Sequence, residues 1–210
     1  MAELTLTDLQ VVAPEARRVS PAQHLADVFA AATVTGPRAV ALRELRFLTM
    51  ISLRVELTTG AAERLTTTLG SRLPTTCGGV STTADSSVLW LAPDEFLVVS
   101  AHAPAELANS LVTALHGEPG SAVDVSANRT TLELSGPSAR RVLEKGCPLD
   151  LHRRSFSVGA AYATTLASVP VVLWRTGEQV YRVLPRSSFA DHVGRWLVDA
   201  MLEFQVPEPS

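Results

Sequence analysis

The chain is short of charge, nearly free of lysine, poor in cysteine and without a long apolar run, and each shortage closes off a class of function. Charged residues make up 19% of its 210 residues, against roughly 25% in an ordinary soluble domain. The formal net charge is -3 and the pI about 6.0, which leaves no electrostatic footprint for nucleic acid. Lys145 is the single lysine among 18 basic residues. Arginine carries the rest of the positive charge, and it is the cation favoured at protein interfaces. Cys77 and Cys147 lack a CxxC spacing, so neither a disulfide framework nor a zinc site is expected. No stretch approaches the ~20 apolar residues that a membrane helix needs. The opening MAELTLTDLQ has neither the basic nor the apolar region of a signal peptide. The expectation is a cytoplasmic protein with reduced thiols and no membrane association.

Catalytic signatures are missing as well. The sequence holds no G-x-S-x-G, no phosphate-binding loop and no G-x-G-x-x-G. His24, His102, His116, His152 and His192 are scattered, with no HxxxH or HExxH spacing, which argues against a metal centre. Gly78-Gly79 sits in a polar run without a dinucleotide fingerprint around it and reads as a plain turn.

What the chain does have is apolar residues, 46% of the total, with a mean hydropathy of +0.19. That composition fits an Ala/Val-rich core equally with a surface partly covered by partner protein. Alternation over Ala39–Leu45 and Met50–Leu57 predicts strands. So do Val88–Leu91 with Phe96–Val99, Val123–Val125, Thr130–Leu134, Tyr162–Ala167, Val171–Trp174 and Val180–Leu184. Helices are predicted after Ser20-Pro21, over 61–69, 103–115 and 137–145, and after Ser187 or Ser188. The last of these carries the clearest apolar stripe: Phe189, Val193, Trp196, Leu197, Ala200, Met201 and Phe204. Residues 71–87 read as the longest polar loop.

Two pairs of segments match at nearly constant offset, which indicates an internal duplication. The strand at 52–57 with the helix at 61–70 corresponds to 131–134 with 137–146. Val88-Leu89-Trp90, a turn, 96–99 and a helix correspond to Val172-Leu173-Trp174, a turn, 180–183 and a helix. Each half reads strand–helix–strand–strand–helix, the order of a split βαβ unit. The expected fold is therefore α+β, with two related, interlocked halves and helices packed on one face of antiparallel sheets. The expected divisions are 1–19, an extended N-terminal arm; 20–119, a first α+β half; 120–205, a second; and 206–210, a tail.

Few residues invite chemistry. Asp124, just after a short strand and near Ser126, could bind a ligand amine or cap local amides, and capping is the reading favoured. Cys147 follows a helix C-terminus, an end that raises a thiol pKa and suits an inert buried cysteine. Asp94 and Glu95 lie on a hairpin turn and are expected to face solvent. Trp90 and Trp174 take matching repeat positions, which favours core over a ligand platform.

One run carries a family resemblance. Asp124-Val125-Ser126, Arg129 to Leu134, Ser135-Gly136-Pro137 and Lys145-Gly146-Cys147-Pro148-Leu149-Asp150-Leu151 resemble the gamma subunit of heterotetrameric sarcosine oxidase. Residues 171–175, 181–184, 186–190 and Trp196-Leu197 fit the same family. More distantly, the pattern is similar to the folate-binding aminomethyltransferase, or T-protein, of the glycine cleavage system, so the fold implied is aminomethyltransferase-like. The resemblance implies a flavoprotein complex that demethylates sarcosine to glycine, giving hydrogen peroxide and formaldehyde or 5,10-methylenetetrahydrofolate. It implies that FAD, FMN, NAD and tetrahydrofolate sit in other subunits, and that this chain contacts alpha, beta and delta partners, alpha chiefly, stabilising its folate-type domain. The sequence departs from the aminomethyltransferase pattern where Ala127 and Asn128 follow Asp124-x-Ser126 in place of histidine. It departs again over Ser168–Trp174, which has no carboxylate. No catalytic, cofactor-binding or metal-binding residue is therefore assigned to this chain. The alternative is a stand-alone folate-dependent one-carbon transferase with Asp124 as its amine-binding residue.

Overall fold

In the computed structural model residues 18–205 are described; the expected tail, and the arm up to residue 17, lie outside them. Among the described residues ten strands form two antiparallel five-stranded sheets. Across the first run β3 (Val80–Thr82), β4 (Ser86–Ala92), β5 (Glu95–Ser100), β2 (Thr49–Val55) and β6 (Gly120–Asp124). Across the second run β1 (Ala41–Leu45), β7 (Thr131–Ser135), β10 (Val180–Pro185), β9 (Val169–Gly177) and β8 (Ala161–Leu166). Each sheet is a split βαβ unit with one further edge strand, β3 or β8, as the α+β reading anticipates.

The units interlock through their edges. In the first, β6 follows helix α3 (Pro104–Leu115) and closes the sheet beside β2, with Leu53 opposite Ala122. In the second, no strand is described after helix α5 (Ala190–Gln205). The corresponding place is taken by β1, from the other end of the chain, with Arg43 opposite Glu133. An unpaired β7 would expose a row of backbone donors and acceptors, and β1 covers it. Residues 120–124 thus belong to the first sheet and 41–45 to the second.

Helices α2 (Gly60–Leu69) and α3 cover one face of the first sheet, where Leu65 and Leu111 pack on Ile51, Leu53 and Phe96. Helices α1 (Ala26–Ala31), α4 (Ala139–Glu144) and α5 cover one face of the second, where Phe29, Val142 and Leu197 join Leu132, Leu134 and Tyr181. The opposite faces of the sheets meet: Met50, Leu89, Leu97 and Val99 against Ala161, Val172, Trp174 and Leu184. The result is four layers, helix–sheet–sheet–helix. Both faces of the central strands are buried, and each fully buried Leu or Val contributes about 1.5–3 kcal/mol.

Several expectations need correction. Residues 71–87 are not a bare loop: Val80–Thr82 pairs with β4, which begins at Ser86. Ladder bonds to a central strand hold a segment too polar to be recognised by alternation. Ser20 does not cap a helix. Its hydroxyl donates to Glu44, and the first helical turn begins as a 3-10 turn at Gln23–Leu25. Ser135 lies in β7, and α4 starts two residues later than expected, at Ala139. Ser187 opens a 3-10 turn before α5 and donates instead to the Ala127 carbonyl at 2.6 Å. Phe189 stands outside α5 and is exposed, whereas Val193, Leu197, Ala200, Met201 and Phe204 are buried as expected.

The two Val-Leu-Trp runs are out of phase. Val88 and Trp90 face the helices of their sheet while Leu89 faces the other sheet. In the second unit Leu173 faces the helices, and Val172 and Trp174 face the other sheet. A one-residue offset in a strand exchanges the two faces, so Trp90 and Trp174 are not equivalent. The tripeptides match because both faces of both strands are apolar.

Candidate functional site

Two connections carry the chain from one sheet to the other: β1 to β2 through residues 46–48, and β6 to β7 through residues 125–130. Of the sequence candidates, Ser126 lies on the second and Asp124 at the end of β6 just before it. Asp124 Oδ1 accepts from the Ser126 amide at 2.9 Å and from its hydroxyl at 2.5 Å. Ser126 Oγ in turn accepts from the Met50 amide at 3.0 Å, tying the crossing to the start of β2. The Asn128 carbonyl accepts from the Ser187 amide at 2.8 Å. Asp124 therefore closes a turn of the kind its position suggested.

Just before the first crossing, in β1, stands a residue that nothing in the pattern singles out. The Glu44 side chain is 3% exposed and accepts from the Ser20 hydroxyl, from the Ala22 amide at 3.0 Å and from Thr130 Oγ1 at 2.6 Å. It joins the N-terminal turn, β1 and the entry to β7. In the same sheet Glu133, opposite both Arg43 and Arg182, binds Arg43 Nε at 2.9 Å and Arg182 Nε at 3.2 Å. Single acidic residues inside Leu-rich strands were the available signal; their partners are remote in sequence.

The run Lys145–Leu151 forms a joint between α4 and α5. Lys145 Nζ donates to the Ala200 carbonyl and lies 3.0 Å from Glu203, so the ammonium beside it holds the Glu203 carboxyl below its usual range. A Cβ on Gly146 would stand 2.5 Å from Trp196 Cζ2 and 3.2 Å from the Ala167 nitrogen. The Gly146 carbonyl accepts from that Ala167 amide at 3.1 Å. Cys147 is 9% exposed and its thiol is free. Asp150 accepts from the His152 amide at 2.9 Å and from Ser155 Oγ at 2.5 Å, and its carboxyl is held low by the serine first and the amide second. Leu151 is buried. The Ala167-Ser168 hairpin, which opens the carboxylate-free run Ser168–Trp174, has positive φ at both residues and docks on this joint.

The other candidates are taken up structurally. Asp94 and Glu95 are not merely solvent-facing: Arg54 reaches Glu95 at 2.7 Å and Asp94 at 3.8 Å. The Gly78 carbonyl accepts from Ala161 and the Gly79 carbonyl from Trp90, so this pair bridges the two sheets rather than forming a plain turn. His24 sits 2.7 Å from Asp191, and the backbone of His116 is the left-handed cap of α3. Among the described residues no three His, Cys, Asp or Glu side chains converge as a metal site would require, and no helix is long and apolar enough to cross a membrane.

Where the two crossings approach each other a cleft of about 390 Å³ opens, lined by Arg18, Phe47, Met50, Asp124, Arg129 and Thr131, among others. Its acid is already engaged by Ser126. Burial, and then the neighbouring Arg186 charge, depress the pKa of the Arg129 guanidinium.

Residues 58–203 match the model of the sarcosine oxidase, gamma subunit family. A sarcosine oxidase subunit gamma from Corynebacterium sp. strain U-96 is 49% identical over 202 residues, covering 96% of this chain and 98% of that protein. One from Arthrobacter sp. is 50% identical over 191 residues, covering 90% and 93%. Among solved structures, a chain of heterotetrameric sarcosine oxidase from Corynebacterium sp. U-96, in complex with pyrrole 2-carboxylate, superposes with a TM-score of 0.88 at 48% identity, covering 92% of this chain and 99% of its own. The aminomethyltransferase T of the Bartonella henselae glycine cleavage system shares the fold, with a TM-score of 0.58 at 18% identity over 76% of this chain and 45% of that one.

Proposed function

The chain belongs to the sarcosine oxidase gamma subunit family, and from that premise we propose that it is the small, non-catalytic subunit of a heterotetrameric sarcosine oxidase. The assembly oxidises the N-methyl group of sarcosine, releasing glycine, and reduces oxygen to hydrogen peroxide. The one-carbon unit leaves as formaldehyde or as 5,10-methylenetetrahydrofolate. In this reading FAD, FMN, NAD and tetrahydrofolate are held by the other subunits, in the cytoplasm. This chain contributes a rigid body that packs chiefly on the folate-type domain of the alpha subunit, with beta and delta completing the complex.

The observation that carries the non-catalytic role is the internal engagement of the groups that could have done chemistry. Asp124 is bonded to Ser126, Glu44 to three donors, and the Ala167-Ser168 hairpin to Gly146. A carboxylate that closes a turn through one oxygen is placed by that turn rather than by a substrate. The test is to purify the oxidase with and without this subunit. Loss of thermal stability on omission, with active-site spectra otherwise preserved, is the expected result; a complex unchanged in stability and activity without it overturns the proposal. Titration of the isolated chain with tetrahydrofolate addresses the transferase alternative, for which binding below millimolar concentration would be required.

A further inference from the structure

The cleft between the crossings holds a cation whose surroundings are incomplete. Arg129 is half-buried, and the hydrogen bond its guanidinium makes among the described residues is from Nη1 to the Leu184 carbonyl, at 2.9 Å. Its backbone bridges that of Arg186, which sets two like charges opposite each other. Among the described residues no carboxylate lies within ion-pair distance of it; Glu95 acts on it from farther away and more weakly than Arg186 does. Beside it Thr131, 1% exposed, has a hydroxyl with no partner. The rim is apolar and open: Phe47 is 46% exposed, at a φ of 58° and under the Arg18 guanidinium at 4.6 Å, and Val19 is 74% exposed. A partly desolvated guanidinium without a counter-ion is costly, and so is a buried hydroxyl without a partner. An incoming carboxylate relieves the first.

We propose that this cleft is a docking site for a carboxylate-bearing, apolar-flanked segment of a neighbouring subunit, with Arg129 as its anchor and Phe47 and Val19 as its apolar rim. The inference rests on the subunit reading above and names the surface through which it acts. Charge complementarity selects the partner. The cleft's own acid, Asp124, is bonded through Oδ1 to Ser126 and makes no ion pair with Arg129, and arginine and aromatic side chains in such pockets are the usual energetic centres of interfaces.

The test uses the assembled complex. Arg129→Gln is expected to weaken retention of this subunit about tenfold or more at moderate salt, and to flatten the salt dependence of its dissociation. Arg129→Lys places a second lysine in a chain that has one. Carbodiimide treatment of that variant complex should join the new amine to a carboxylate of another subunit, identified by mass spectrometry. A cross-link to residues 1–17 of the same chain, or no cross-link at this position, overturns the proposal. So does an Arg129→Gln complex that dissociates as the wild type does. If omission of the whole subunit still destabilises the oxidase in that case, the docking site alone has failed and the subunit reading stands.

Discussion

In the first half a guanidinium ties the helix pair together. Arg64 on α2 donates to the Ala114 carbonyl at 2.7 Å and the Leu115 carbonyl at 3.0 Å at the end of α3, and pairs with Glu118 at 2.7 Å. In the second half an ammonium takes that place: Lys145, after α4, donates to the Ala200 carbonyl within α5 and pairs with Glu203. The topology is shared and so is the device, a cation on carbonyls plus a carboxylate. What differs is what stands against the glycine that follows the first helix of each pair. Gly70, after α2, is left-handed at φ 68° with nothing nearer than 3.8 Å to a Cβ there. Gly146, at the matching position after α4, lacks a positive φ but has Trp196 against it. One glycine is required by the backbone and the other by contact. The family-specific run falls at the second, where Trp196 leaves no room for a side chain.

The approaches to the crossings repeat the contrast, since the Glu44 side chain, before the first, is buried and Asp124, before the second, is exposed. Glu44→Ala should have the largest effect. It strands a buried amide and two hydroxyls, and about 2–4 kcal/mol of stability is expected to go, measured by urea unfolding. Equal losses for Glu44→Ala and Asp124→Ala would break the distinction between buried and exposed approaches.

Gly146→Ala comes next, at about 1–3 kcal/mol from overpacking, with Gly70→Ala nearer 1 kcal/mol from the left-handed backbone. Asparagine sharpens the pair: it tolerates the left-handed region, so Gly70→Asn should recover stability relative to Gly70→Ala, and Gly146→Asn should lose more. The same order at both sites would sink the assignment of two different causes. Asp124→Ala is expected to cost about 0.5–1 kcal/mol, the range of an exposed turn cap.

The smallest effect is on acid stability. Lys145 lowers the Glu203 carboxyl, and the Arg64 side-chain bond lowers that of Glu118, each below the ordinary 4.5. A carboxyl depressed on folding adds stability above its unfolded value and loses it as pH falls through the folded one. Stability should therefore decline below about pH 4.5. Lys145→Met should remove the Glu203 part and Arg64→Met the Glu118 part, leaving shallower curves; both pairs are exposed, so the changes are small. Unaltered pH profiles would remove these pairs from the account.

Some of this was legible from residues alone. The α5 stripe is a strong 3.6-residue period with one buried face, and it is buried as read. The strands of β2 and β7 alternate enough to show their helix-facing sides. The β4 and β9 strands did not reveal their phase. In β9, Val171 through Arg175 are all buried, and a continuous apolar run carries no period from which to choose a face. The Val-Leu-Trp match therefore identified a duplication correctly in order but set the two tryptophans on equivalent positions they do not share. Glu44, Glu133 and Arg129 were silent because a charged residue's meaning depends on partners up to 90 positions away.

The sequence by itself determined the element order, the two related halves and the family, because these follow from local periodicity and residue identity. Only the tertiary structure decided that β1 completes the second sheet, that the sheets pack face to face, that Lys145–Leu151 is a helix joint, and that Arg129 has no carboxylate within ion-pair distance among the described residues. Each of these depends on which of two buried faces meets which layer and on pairings between remote segments. Period-2 patterning leaves that choice open, and packing and hydrogen bonding resolve it.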